Sequence, residues 1–445
     1  MKKFLSLTLS FLMIFSSSCA YMMPSGRENS EALAAAEYPD MVQYPDGDSM
    51  DGYDNWHSSR DVLRWYEDDI SANYIDYVID STRVIMQDDT VENLVYSPMS
   101  LYMALAMLAE TTGGNSRQEV LDLLQSDSIE ELRVEAQALF LSSYIDDGVS
   151  KSLLANSLWT NNLAIADGLE YKDETLNFIA EQYYADVFSG DMGDPHYDKL
   201  LQDWINEKTG DLLEDSVSEE KFRADTVLTL ISTVLYEAAW ENPFFEQMNT
   251  EEIFHGKDND VEVEFMNKDT YNTPYVRGEN FGSIQEYMGA AGGSMLFVLP
   301  DEGFTPEDII NSADFADYLN SKGGREASAY FIDLSVPKFD VQADLELNEH
   351  LGALGLNEIF DPSFADFSNL VEDDTLLYLS KATQSSRVMI DEKGVKAASY
   401  TRLDVDTTSG IPEDNAVDFT LDRPFIYVIL SEARVPMFIG IVNQL

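Results

Sequence analysis

EKGVKAASYTRLDVDTTS, residues Glu392 to Ser409, alternates strictly once past Gly394. Val395, Ala397, Ser399, Thr401, Leu403, Val405 and Thr407 make one face, small or β-branched and mostly apolar. Lys396, Ala398, Tyr400, Arg402, Asp404 and Asp406 make the other, which is mainly charged or amphipathic. Alternation with period two is the pattern of a half-buried strand. The run is longer than most strands, and it passes into TTSGIPEDN, whose composition is that of an exposed loop. A strand pattern written into a loop predicts a segment that is free in one state and added to a sheet in another.

Outward from that stretch the chain is globular from Asp61 onward. Val62 to Met86 has the spacing of an amphipathic helix. Ser97-Pro98 opens a second helix, with Ser97 as N-cap and Pro98 at the first helical position. Its body, LYMALAMLAE, is apolar nearly all round and so should be deeply buried. Gly113-Gly114 stops it, and Ser116 begins another helix through RQEVLDLL. Strand-like runs stand at Val227 to Tyr236, Ser294 to Leu299, Tyr330 to Val336 and Pro424 to Leu430. Helices and strands mix without regular βαβ alternation, which makes the class α+β. No repeat and no second domain boundary interrupts residues 61–445.

The N-terminus reads as a targeting segment. Lys2 and Lys3 precede the apolar run Phe4 to Phe15, followed by Ser16, Ser17, Ser18 and Cys19. The run is too short to span a membrane as a helix. Cys19 is the only cysteine, so no intramolecular disulfide can form. Its position after three small residues is similar to a bacterial lipoprotein signal, in which the cysteine becomes the lipidated first residue; Ser16 departs from that pattern. Residues 1–19 are therefore assigned as a lipoprotein-type signal and 20–60, acidic and aperiodic, as a flexible tether. Within the tether, DGDSMDGYD (Asp46 to Asp54) lacks the full spacing and terminal Glu of a calcium loop and reads as linker. The expected location is extracellular or at the cell surface.

Composition narrows the partners. The 445 residues carry 82 acidic against 27 basic side chains, a formal charge of −55. Such a surface repels nucleic acid, heparin-like polyanions and anionic headgroups. None of the four histidines, His57, His196, His255 and His350, has another His or Cys at ligand spacing, so no metal is expected. No nucleophile elbow, Walker loop or dinucleotide fingerprint occurs, so no enzyme activity and no cofactor are expected.

The resemblance that organises these observations is to the serpins, from about residue 61 to Leu445. NLVYSPMSLYMALAMLAETTGGNSRQEVLDLL (Asn93 to Leu124) is similar to that family's buried second helix and the turn after it. LANSLW (Leu154 to Trp159), SMLFVLPDEG (Ser294 to Gly303) and LSVPKFDVQADLELNEHLGALGLNEIF (Leu334 to Phe360) follow in family order. DRPFIYVIL (Asp422 to Leu430) and PMFIGIVN (Pro436 to Asn443) close the chain. The resemblance implies three β-sheets, about eight to nine helices and an exposed reactive-centre loop. It also implies a monomeric suicide inhibitor of serine proteases, with cysteine proteases as a further target class. A protease that cuts the loop is held as an acyl-enzyme while the loop inserts as a new central strand of the main sheet. The alternative within the family is a non-inhibitory binding or structural protein.

On that resemblance Glu392, Lys393, Gly394, Val395, Lys396, Ala397, Ala398 and Ser399 form the hinge. Val395, Ala397, Ser399 and Thr401 are the inward side chains, and Lys396, Tyr400 and Arg402 point outward. Family spacing from Glu392 puts the scissile bond at Thr408-Ser409, whereas counting back from Phe419 shifts it towards Gly410 or beyond. A small β-branched Thr408 suits an elastase-like or subtilisin-like pocket. Where many serpins place Asn and His in the polar cluster that closes the main sheet, this chain has Ser232 and Gln384. A cluster of Ser97, Ser100, Ser232 and Gln384 is the expected replacement. The family's Lys-Gly before a sheet-top tryptophan is here Glu237-Ala238, with Trp240 retained as core packing.

Overall fold

The computed structural model describes residues 32–45, 50–64, 66, 70–87, 91–166, 168–218, 220–321, 328–372, 376–395 and 416–445. The core is organised about the helix Pro98–Thr111. The Ser97 side chain accepts from the Ser100 N–H, and Pro98 sits in the first turn, where its missing N–H costs nothing. All its residues but Ala104 are buried, because sheets flank it: the strand Leu228–Ala239 packs on one side and Pro436–Val442 on the other. A helix apolar all round needs such enclosure.

The main sheet has eight strands. Across it lie Ala32–Ala34, Ala185–Gly190, Lys151–Asn161, Leu228–Ala239, Gly394–Val395, Thr383–Asp391 and Phe339–Glu346, and Ile145–Asp146 pairs with Lys151–Asn161 at one end. Among its described strands only the pair Lys151–Asn161 and Ala185–Gly190 is parallel. The remaining strands form a nine-stranded system. Its shared member is the long strand Asp260–Arg277, which pairs with Thr250–His255 and Ser328–Pro337 over most of its length and with Phe281–Tyr287 only through its last three residues. The second and third sheets of the expected fold are thus continuous through one strand. The strands Phe425–Leu430 and Pro436–Val442 are buried throughout, as strands covered on both faces must be. Eight helices of eight residues or more surround the sheets among the described residues: Met50–Arg64, Ala72–Ile85, Pro98–Thr111, Gly114–Leu123, Ile129–Ser143, Asp173–Gln182, Pro195–Lys208 and Ala313–Asn320. The α+β class and the strand positions follow the sequence pattern.

Two boundaries differ from expectation. The single helix expected over Val62 to Met86 is two, because Ser71 caps a fresh N-terminus by accepting from the Asn73 N–H. The assignment of residues 20–60 as a flexible tether is corrected for its described part. Ala32–Ala34 adds a strand to the main sheet, and Met50–Arg64 is a helix that crosses the boundary placed at residue 61. Trp56 and Arg60 on that helix are only 4% and 2% exposed. Composition misled here because the segment is acidic overall and holds on by a few single side chains, which leave no periodic signature. The expected signal and Cys19 lie outside the described residues.

Candidate functional site

The main sheet contains an incomplete seam. Leu228–Ala239 and Thr383–Asp391 are neighbours, yet among the described residues they share no backbone pairing; only the two-residue strand Gly394–Val395 lies between them. Gly394 pairs with Ala239 and Asp391, and Val395 with Ala238 and Ile390. Below this bridge the seam holds two small cavities. One of about 20 Å³ is lined by Ser97, Ser100, Ser232, Thr233, Ser385 and Ser386, among others. The other, about 10 Å³, lies against Val234, Tyr236, Val388 and Val395. The larger has room for about one water. Thr209 and Leu213, just after the helix Pro195–Lys208, also line the first cavity, and Leu212 lines both. Arg387 donates to the Leu212 carbonyl at 3.2 Å.

The upper end of the seam is strongly bonded. Asp391 accepts from the N–H groups of Lys393 (2.7 Å) and Gly394 (3.2 Å), which folds the tight turn that starts the short strand. Gly394 has a φ of 156°, and a Cβ there would run into the Ala238 carbonyl oxygen, so the close approach admits only glycine. Trp240, 2% exposed, donates its N–H to the Lys393 carbonyl and its Nε1–H to the Asp391 carbonyl, each at 2.8 Å. The sheet-top tryptophan therefore packs in the core, as expected, and also fastens the turn.

Beside it lies a charged latch. Lys338 Nζ is 2.5 Å from Glu392 Oε1 and 2.7 Å from Glu264 Oε2. Asn249 Nδ2 donates to both carboxylates, at 2.5 and 2.8 Å. Burial disfavours the charge on Glu392, but bonds from Lys338, a backbone N–H and Asn249 outweigh it and hold its carboxyl below the usual range. Bonds from Asn249 and Lys338 lower Glu264 as well. Two carboxylates with depressed folded-state pKa values stabilise the latch above the ordinary glutamate range, and this stability is lost as pH falls through their folded values. The thermal midpoint of Lys338→Met should therefore lie below that of the wild type at neutral pH, and the gap should close on acidification below about pH 4. A gap independent of pH would remove the latch from the account.

At the lower end, the polar cluster expected from sequence is assembled. Gln384 Oε1 accepts the Ser97 N–H at 2.8 Å, and Gln384 Nε2 donates to the Ser97 carbonyl at 2.9 Å. Ser97 Oγ donates to the Met437 carbonyl at 2.8 Å, and Ser100 Oγ to the Ser232 carbonyl at 2.6 Å. Ser232 takes part through its backbone; its own hydroxyl is buried at the seam without a partner among the described residues. Sequence reasoning did not identify Asn249, Glu264 or Lys338. Lys338 sits in the quoted VPKF motif, but nothing in the linear order pairs it with Glu392.

Of the remaining sequence-derived site residues, Lys396, Ala397, Ala398, Ser399, Thr408 and Ser409 lie outside the described residues, as does Thr401. Among the described residues no cluster of three or more His, Cys, Asp or Glu could hold a metal ion, and no helix is long and apolar enough to cross a membrane.

Comparison with known proteins gives one consistent result. The family model described as serpin (serine protease inhibitor) matches residues 73–445. The alpha-1-antitrypsin-like protein GS55-MS of Ictidomys tridecemlineatus is 28% identical over 379 residues, which is 83% of this chain and 87% of that protein. Alpha-1-antiproteinase 2 of Equus caballus is 28% identical over 392 residues, 86% of this chain and 89% of its own. Among solved structures, the thermophilic serpin tengpin in its native state superposes with a TM-score of 0.74 at 28% identity, covering 84% of this chain and 93% of that one. A thyroxine-binding globulin complex with thyroxine shares the fold, with a TM-score of 0.70 at 23% identity over 84% of this chain and 98% of that chain.

Proposed function

The chain belongs to the serpin family, and from that premise we propose that it is a suicide inhibitor of serine endopeptidases. The observation that carries this is the incomplete seam with Gly394–Val395 already paired at its head. Continued in the same register, the cut loop brings Ala397 between Tyr236 and Val388. Ser399 then comes between Val234 and Ser386, and Thr401 between Ser232 and Gln384. Gln384, Ser386, Val388 and Ile390 are the buried positions of their strand, while Ser385, Arg387 and Met389 are not. The small inward side chains of the loop thus meet the buried face, and Lys396, Tyr400 and Arg402 meet the open one. A one-residue slip would reverse this, so the pattern specifies the register.

Chemically, the protease serine attacks the carbonyl of Thr408. The bond to Ser409 breaks, the new amino terminus leaves, and an ester joins protease and loop. Insertion adds backbone bonds along both flanking strands and buries the inward side chains, which drives the loop and the attached protease away before water cleaves the ester. The Thr408-Ser409 bond fits elastase-like or subtilisin-like targets, and a cysteine protease would be held as the corresponding thioester. The chain acts as a monomer, needs no cofactor, and is exported with lipid anchoring at Cys19.

The test is a mixture with elastase-like, subtilisin-like and trypsin-like proteases run on denaturing gels. An SDS-stable complex with a cut after Thr408 is the expected result. Clean loop cleavage without any complex, across all three classes, would overturn the proposal and leave the non-inhibitory alternative.

A further inference from the structure

We propose that Lys268 is a positioning residue for the head of the seam. Through a buried pair with Glu286 it sets the short segment 241–244, and with it the turn from which Gly394–Val395 enters the sheet. The consequence for inhibition rests on the insertion mechanism proposed above; the hold on the turn does not.

The strand Leu228–Ala239 ends at the head of the seam, and residues 240–244 carry the chain out of the main sheet. Two donors on that stretch hold the turn. The Trp240 N–H reaches the Lys393 carbonyl at 2.8 Å, and the Phe244 N–H reaches the Glu392 carbonyl at 3.0 Å. The Trp240 and Phe244 rings meet edge to face, with centroids 6.0 Å apart. Where this stretch lies therefore decides where the turn lies.

The groups that place it come from the second sheet system. Lys268 on Asp260–Arg277 and Glu286 on Phe281–Tyr287 stand outside the residues through which those two strands pair. Their side chains, 7% and 6% exposed, meet with Nζ 2.6 Å from Oε2. The same ammonium donates to the Asn242 carbonyl at 2.8 Å and stands 4.3 Å from the centroid of the Phe244 ring. Beside Glu286, the Tyr287 carbonyl accepts the Glu241 N–H at 2.9 Å. Pro243 joins Asn242 to Phe244 with its φ locked by the ring, so a fixed Asn242 carbonyl constrains the Phe244 that follows.

The chemistry of the pair separates positioning from stability. A lysine ammonium carries three donors and no acceptor. Here a carboxylate, a carbonyl and an aromatic face meet it. Glu286 Oε1 is buried without a partner among the described residues, so Lys268 holds that carboxylate through Oε2. A buried ion pair contributes about as much stability as apolar side chains of the same size, whereas half a pair is strongly destabilising. Replacing both residues by apolar ones restores the packing, but leaves no donor for the Asn242 carbonyl.

The experiment compares the full-length wild type with Lys268→Met and with the double variant Lys268→Met, Glu286→Leu. Three quantities are read: the thermal midpoint, hydrogen exchange at the Gly394 and Val395 amides against that of the core strand Phe425–Leu430, and the inhibitor molecules consumed per protease inactivated. In Lys268→Met the midpoint should fall, because Glu286 is left buried alone. The double variant should regain most of the wild-type midpoint, yet its Gly394 and Val395 amides should exchange about tenfold faster, the worth of roughly one hydrogen bond. Consumption of inhibitor should rise with it, by about threefold, since a head that leaves the seam must return before insertion begins. Should the single variant not fold, the double variant carries all three readouts. Wild-type exchange at Gly394 and Val395, or equal acceleration in the core strand, would reduce the pair to packing and overturn the proposal. Fast exchange with wild-type consumption would refute the link to inhibition. A control on the wild type keeps the two readings apart. If cutting its loop leaves the thermal midpoint unchanged, the insertion mechanism fails, while exchange at Gly394 and Val395 still decides the role of Lys268.

Discussion

Val395→Arg should turn an inhibitor into a substrate: the loop is cut, but little or no SDS-stable complex accumulates. Val395 is 3% exposed and sits between Ala238 and Ile390 at the head of the seam. Every inserting residue follows it. An arginine there does not fit the apolar lining of Val234, Tyr236, Val388 and Ile429 and would swing the head of the strand out of the seam, so that insertion must first carry the charge back in, and stranding a charge in that way costs several kcal/mol. Adding ~3 kcal/mol to the insertion barrier slows that step by about two orders of magnitude. Hydrolysis of the ester then wins the competition. The measurement is the number of inhibitor molecules consumed per protease inactivated, which should rise at least about tenfold. Ala398→Arg is the internal control, since the alternation puts that side chain on the open face, where inhibition should change by no more than about a factor of two. Equal effects at the two positions would refute the register.

Gln384→Ala should be the most destabilising single change in the lower cluster. The Gln384 amide satisfies both the N–H and the carbonyl of Ser97, and all three groups are buried. Removing it strands the Ser97 N–H where water has little access, while the Ser97 carbonyl keeps the Leu101 N–H at 3.2 Å. At about 1–3 kcal/mol for an unsatisfied group, a loss of ~2 kcal/mol is expected. It should appear as a lower guanidinium midpoint for the first unfolding transition of the intact protein. Gln384→Glu keeps an acceptor for the Ser97 N–H and loses the donor to its carbonyl, so it should fall between alanine and wild type. A midpoint unchanged in the alanine variant would mean that the pair to Ser97 contributes nothing to closing the sheet.

Much of the fold is legible in the chain because its signals are local. Ser97-Pro98 followed by LYMALAMLAE specifies a capped helix that must be enclosed, and it is enclosed. The runs at Ser294 and Pro424 are apolar and bounded by turn residues, and both are strands. The lower cluster was also legible, but only in membership. That Ser232 would contribute its carbonyl while its hydroxyl faces the seam depends on how the strand turns its peptide plane, which side-chain identity does not report.

The latch and the anchoring of residues 32–64 were not legible, for different reasons. Lys338, Glu264 and Glu392 come together from three separated stretches, and in a chain with 82 acidic residues no acid announces its partner. That segment gives no periodicity, because Tyr38, Trp56 and Arg60 each meet a different partner, Tyr144, Asp147 and Glu432. An acidic composition averages such anchors away.

The sequence by itself determined the alternation from Val395 to Thr407, and hence which side chains share a face. Period two is a covalent property of extended backbone and needs no neighbours. Only the tertiary structure decided that a seam lies open between Leu228–Ala239 and Thr383–Asp391, with Gly394–Val395 bonded at its head. It alone joins Arg60 of the helix Met50–Arg64 to Glu432. Those facts depend on which strands pair over long separations, and that pairing is settled by the packing of the whole core.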